Sequence, residues 1–101
     1  MLAKYGNISA WGQAAEERML SWNFNTFGAW SSAPVINSKK LAYTIYLDFS
    51  GKNFLSRAFV DVFDPAWNDS IVSIAKSLCG PARNDPYLLG YYSDNEVPSQ
   101  D

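Results

Sequence analysis

The sequence predicts an α/β fold built on about three parallel strands with connecting helices. Three observations carry that expectation. Helical and strand patterns alternate along the chain, and the alternation itself implies parallel strands joined by right-handed crossovers. The clearest strand, Leu41–Phe49, is apolar on both faces until Asp48, as a strand covered on both sides should be. Two helices begin and end at recognisable punctuation.

Taken in order, Ser9 can cap a helix that runs to about Trp22. Trp11, Ala15, Met19 and Trp22 recur on one face at three- and four-residue spacing, and Asn23 suits a left-handed terminator. Phe24–Trp30 reads as an aromatic-rich strand. The polar stretch 31–40 contains Pro34, which fits the first turn of a brief helix. After the strand Leu41–Phe49, residues 50–62 lack any clear period. Asp64-Pro65 then opens a helix as N-cap and first residue, with Trp67, Ile71, Ile74, Ala75 and Leu78 on its apolar face. Gly80-Pro81 is expected to end it, and a last strand follows over Tyr87–Tyr92. Three strands fit an open doubly wound sheet or part of a barrel equally well. A flavodoxin-like sheet is disfavoured because no phosphate-binding turn follows a strand.

Composition narrows the chemistry. A chain of 101 residues has room for one small domain, here 1–101, and an apolar fraction of 48% excludes intrinsic disorder. The net charge of −2 and the lack of a basic stripe argue against nucleic acid. No apolar run approaches the ~20 residues of a membrane span. No hydrophobic region follows Lys4, so residues 1–6 are not a signal peptide; the protein is cytoplasmic or its true N-terminus lies elsewhere. The absence of histidine removes Ser-His-Asp and Cys-His catalysis and most zinc sites. The single Cys79 permits no intrachain disulfide and reads as a small buried hydrophobe. Acid or base work therefore falls to Asp, Glu, Lys or Tyr. Asp61 and Asp64 together suggest calcium only weakly, since helix capping accounts for Asp64, and no cofactor is implied.

The chain's end is its most telling stretch. Leu88-Leu89-Gly90-Tyr91-Tyr92 climbs to Ser93-Asp94-Asn95-Glu96-Val97-Pro98, setting a carboxylate and an amide at the carboxyl end of a strand, where parallel α/β proteins do their chemistry. The sequence stops soon afterwards, which suggests a piece of a larger enzyme.

Several blocks carry a resemblance. Lys4-Tyr5-Gly6, then Trp11 followed by Arg18 through Ser31, then Asp61-Val62-Phe63-Asp64-Pro65, then Asp85 through Pro98 look like consecutive segments of β-agarase-type glycoside hydrolases (family fifty). The resemblance implies the N-terminal part of a (β/α)8 TIM barrel of the retaining glycosidase clan. Phe24–Trp30, Leu41–Phe49 and Tyr87–Tyr92 would be barrel strands two, three and four. It also implies that Asn95-Glu96 matches the Asn-Glu pair at the end of the fourth strand, with Glu96 as catalytic acid/base. The nucleophilic glutamate would stand on the seventh strand, beyond this chain. Ser99 follows Pro98 where the family tends to place an aromatic residue.

Retaining glycosidases hold two carboxyl groups about 5 Å apart, one protonating the leaving oxygen and one attacking the anomeric carbon. By spacing alone Glu96 is either that acid or a solvated strand-end residue. Asn95 can bind a sugar 2-hydroxyl or simply form a turn. Asp94 counts with Asn95, Trp30 and Asp48 among the substrate-binding candidates, where it orients its neighbours or simply completes the same turn. Trp30 stacks on a pyranose or packs beneath a loop, and Asp48 binds a hydroxyl or caps the loop after its strand. The substrate implied is a galactan such as agarose, with the remainder of the barrel, or self-association through exposed strand edges, completing the protein. The isolated segment is expected to be inactive, and a parent enzyme of this type to be secreted or periplasmic. The rival reading is a small non-catalytic carbohydrate-binding or interaction module of α/β fold that uses exposed aromatics.

Overall fold

The computed structural model describes residues 2–37, 39–50 and 61–95. Its elements run α1 (Leu2–Tyr5), α2 (Ile8–Ser21), β1 (Thr26–Phe27), α3 (Ala33–Ile36), β2 (Ala42–Tyr46), α4 (Pro65–Ala82) and β3 (Leu88–Tyr92). The strands form one open parallel sheet in the order β1-β2-β3, so spatial order follows chain order. Two compact units divide the residues: 1–44 with 86–90, and 45–85 with 91–101.

In the first unit, α2 starts two residues earlier than the Ser9 reading. Asn7, extended at φ −151°, caps it through Oδ1, which accepts from Ala10 N at 2.8 Å. Such a cap stabilises a helix by about 1 kcal/mol. At the other end Phe24 N donates to Met19 O and Asn23 N to Leu20 O, with Asn23 at φ 61°. This is the Schellman arrangement that Asn23 led us to expect, and it closes the helix on its own last carbonyls. The buried face differs from the expected one. Gly12 and Glu16 are buried, Trp11, Ala15 and Met19 only half-buried, and Trp22 is 64% exposed.

Gly12 explains the shift. A Cβ on it would lie 2.5 Å from the Pro34 carbonyl oxygen, so only glycine lets α3 approach α2 this closely. Pro34 does sit in the first turn of α3, as its fixed φ favours. Val35 is buried, together with Phe27, Leu41 and Tyr43.

β1 is far shorter than Phe24–Trp30. Phe24 N is spent closing α2, and Trp30 turns into the left-handed region at φ 61°, so only Thr26 and Phe27 pair in register, with Ala42 and Tyr43. Regular pairing in β2 likewise covers less than Leu41–Phe49, because Asp48 adopts φ 59°.

In the second unit, Asp64 and Pro65 start α4 as their types dictate. The Asp64 carboxylate accepts from Ala66 N at 2.9 Å, and Pro65 takes the first helical position. Trp67, Ile71, Ile74 and Ala75 are half-buried, Leu78 is 39% exposed and Ala82 is buried. The helix does not stop at Gly80-Pro81; it continues to Ala82 with Pro81 inside it. A residue before proline resists helical dihedrals largely because its Cβ meets the proline ring, and Gly80 has none. Cys79 is half-buried rather than fully enclosed. No helix among the described residues is long and apolar enough to cross a membrane.

Candidate functional site

Of the sequence-derived candidates, Trp30 follows β1, Asp48 follows β2, and Asp94 and Asn95 follow β3. Glu96 lies outside the described residues. Asp48, Asp94 and Asn95 belong to the second unit, and Trp30 to the first.

Within the second unit, hydrogen bonding between the chains of β2 and β3 outlasts the regular strands. Leu47 N donates to Tyr92 O at 2.9 Å and Phe49 N to Ser93 O at 3.0 Å. The next rung changes character. Ser50 N donates to the Asp94 carboxylate at 2.6 Å, so a side chain takes the place of a backbone carbonyl. Asp94 thus reaches a backbone amide 44 residues away. Asn95 follows as an exposed bend residue.

Asp48 stands two residues beyond β2, and its carboxylate accepts from the Tyr46 hydroxyl at 3.2 Å. The left-handed backbone at Asp48 costs about 1–2 kcal/mol for a residue with a Cβ, though aspartate bears it better than most. Trp30 in the first unit is 65% exposed and shares that left-handed conformation, which a bulky side chain seldom adopts. Held strain of this kind clusters at functional sites.

The two aspartates considered for calcium act on the backbone at the entry to α4. The Asp61 carboxylate accepts from Phe63 N at 2.9 Å, while the Asp61 carbonyl accepts from Asp64 N at 3.1 Å. Asp64 is the cap already described. Among the described residues no group of three or more metal-ligating side chains gathers.

Sequence reasoning missed the one fully buried charge among the described residues. Glu16 has no solvent exposure, and its Oε2 lies 3.0 Å from Lys40 Nζ, whose side chain is 58% exposed. The pair is at ion-pair distance, yet neither carboxylate oxygen accepts a well-aligned hydrogen bond. Its only trace in the sequence is Gly12, one helical turn earlier, which draws that stripe of α2 under cover. The same unit holds a second polar contact, from Arg18 Nη2 to the Tyr5 hydroxyl at 2.8 Å. This hydrogen bond, with the nearby positive charges of Arg18 and Lys4, holds the Tyr5 phenol below its ordinary pKa.

Comparison with known proteins adds a relationship. The chain is 31% identical over 107 aligned positions to Beta-agarase B of Vibrio sp. (strain JT0107), an alignment that covers 93% of this chain and 11% of that protein. No family model matches, and no solved structure matches. Nearly all of this chain is therefore related in sequence to a small part of a protein named as a β-agarase.

Proposed function

We propose that this chain is part of a (β/α)8 barrel of an agarase-like glycoside hydrolase of family fifty, carrying the acid/base half of a retaining two-carboxylate site. The observation that carries the reading is the 31% identity to Beta-agarase B across 93% of the chain. The parallel sheet with strands in chain order is consistent with barrel strands two, three and four, and two βαβ crossovers through α3 and α4 fit that role. Side chains left open, such as Leu89 at 67% and Phe63 at 91% exposed, are surfaces that the remainder of a barrel would cover.

In this reading Glu96 protonates the glycosidic oxygen as the bond breaks and later removes a proton from the attacking water. Asn95 hydrogen-bonds the sugar 2-hydroxyl, a contact that strengthens as positive charge develops on the ring. Trp30 offers an exposed indole for the apolar face of a galactose unit. Asp48, aligned by Tyr46, accepts from a ring hydroxyl. The nucleophile comes from residues outside this chain, so the 101-residue segment alone turns over no substrate.

The test is Glu96→Gln in the longer chain that contains the nucleophile, assayed on agarose oligosaccharides and on aryl glycosides with activated leaving groups. Turnover of the natural linkage should fall by roughly 10²–10⁴-fold, and that of the activated substrate much less, because a good leaving group needs no proton. Unchanged hydrolysis of agarose oligosaccharides would refute the assignment.

A further inference from the structure

Gly12 and Trp30 stand on different parts of the first unit, and α3 links them. With four residues, Ala33–Ile36, α3 is a single turn that does not hold its own shape in water. Packing sets its place. Val35 is buried, and the Pro34 carbonyl comes so near α2 that a Cβ on Gly12 would lie 2.5 Å from its oxygen. Ser32 moves with the helix, because its carbonyl accepts from Val35 N at 2.9 Å and from Ile36 N at 3.2 Å. On the other side Phe27 is buried and paired with Tyr43. Residues 28–32 are therefore strung between two fixed points, and Trp30 is the middle one.

We propose that Gly12 is a positioning residue for sugar binding: by admitting Pro34 it fixes where α3 begins, and through Ser32 it fixes where Trp30 is presented. The inference rests on the reading of Trp30 as a sugar contact given above. Trp30 is 65% exposed, so burial does little to locate the indole, and its backbone at φ 61° has little freedom to adapt. Only two Cα–Cα steps of about 3.8 Å separate it from Ser32, so a shift of about 1 Å at the start of α3 has two residues in which to dissipate. Dispersion contacts lose a quarter to a half of their strength over a gap of about 0.5–1 Å. Stacking of an indole on a flat sugar face is sensitive to a displacement of that size.

The test compares Gly12→Ala, Val35→Ala and Trp30→Ala, and the double variant of Gly12→Ala with Trp30→Ala, in the longer, nucleophile-containing protein acting on agarose oligosaccharides. Gly12→Ala pushes α3 away, while Val35→Ala loosens its seat without a clash. The second takes the place of the first, alone and in the double variant, if Gly12→Ala does not fold. KM should rise about 3–10-fold in both and about 10–100-fold in Trp30→Ala, with kcat changed less than about twofold. Because Gly12 acts through the indole, adding Gly12→Ala to Trp30→Ala should raise KM no further. Asn7→Ala is the control for stability: it removes the α2 cap and leaves the α3 contact alone, so KM should stay at the parent's value. An unchanged KM in Gly12→Ala and Val35→Ala, additive losses in the double variant, or an equal rise in Asn7→Ala would each overturn the proposal while leaving Trp30 as a sugar contact. An unchanged KM in Trp30→Ala would remove that contact, and the proposal with it.

Discussion

Replacing Gly12 by alanine should weaken the first unit even though alanine is the better helix former. The added Cβ would lie 2.5 Å from the Pro34 oxygen, 2.9 Å from its carbonyl carbon and 3.2 Å from its Cβ. Comfortable contacts between such atoms begin near 3.5 Å, so α3 would have to retreat by about 1 Å. The obstacle is backbone, which cannot swing aside as a flexible side chain would. Overpacking of this kind costs about 1–3 kcal/mol, and a clash against a carbonyl belongs at the upper end. Against it stands the gain of about 1 kcal/mol from replacing glycine inside a helix. The net expectation is a loss of about 2 kcal/mol, or roughly 8–16 °C in midpoint for a domain of this size. Thermal unfolding followed by circular dichroism reads it, with Gly28→Ala as control, since a Cβ there meets nothing within 4 Å. A Gly12→Ala midpoint equal to or above the parent's would refute the close-approach argument.

The buried ion pair predicts an asymmetry. Lys40→Ala strands the Glu16 carboxylate without its partner and should cost about 1–2 kcal/mol, less than for a fully buried pair because Lys40 is 58% exposed, whereas Glu16→Leu should be neutral or stabilising. Urea midpoints of the two variants decide, and a harmless Lys40→Ala would show that the pair is idle. The Tyr5 phenol should titrate below its ordinary value and return toward it in Arg18→Met, as read from phenolate absorbance against a Tyr5→Phe blank. Because the folded state favours the ionised phenol, the linked stability is present above the unfolded-state pKa and is lost as pH falls through the lowered folded value. A Tyr5→Phe variant whose stability relative to the parent does not change across the alkaline range would contradict the shift.

Much of the architecture was legible because local chemistry and global fold agree in it. Asp64-Pro65 before a periodic apolar run could scarcely be anything but a helix start, and Asn23 after another such run announced its left-handed exit. Residues 41–49 read as a strand because nothing charged interrupts them before Asp48. The errors arose where one residue serves two masters. Phe24 looked like the first residue of a strand, but its amide closes the preceding helix. Gly80-Pro81 carries the two strongest helix-ending residues, yet a missing Cβ on the first removes the clash that makes the second a stop. Glu16 was invisible because periodicity ranks faces by hydrophobicity, and that stripe is buried through close approach at a glycine. For the candidate site, the sequence pointed to Asp48 and Asp94 by their place at strand ends. It could not show that Asp94 grips an amide 44 residues earlier, since such a contact leaves no local pattern.

The left-handed turns at Trp30 and Asp48 bear on anyone who would redesign either of the loops that carry them. At such dihedrals valine, isoleucine and threonine are effectively barred, while glycine and asparagine are welcome. A library that samples all twenty amino acids at position 48 will therefore return a biased harvest, rich in asparagine and glycine for reasons of backbone alone. Enrichment there should be normalised against binding before it is credited to any sugar. Trp30→Gly should make its loop easier to form while removing whatever the indole does, so gains in expression and losses in activity at that position would have separate origins.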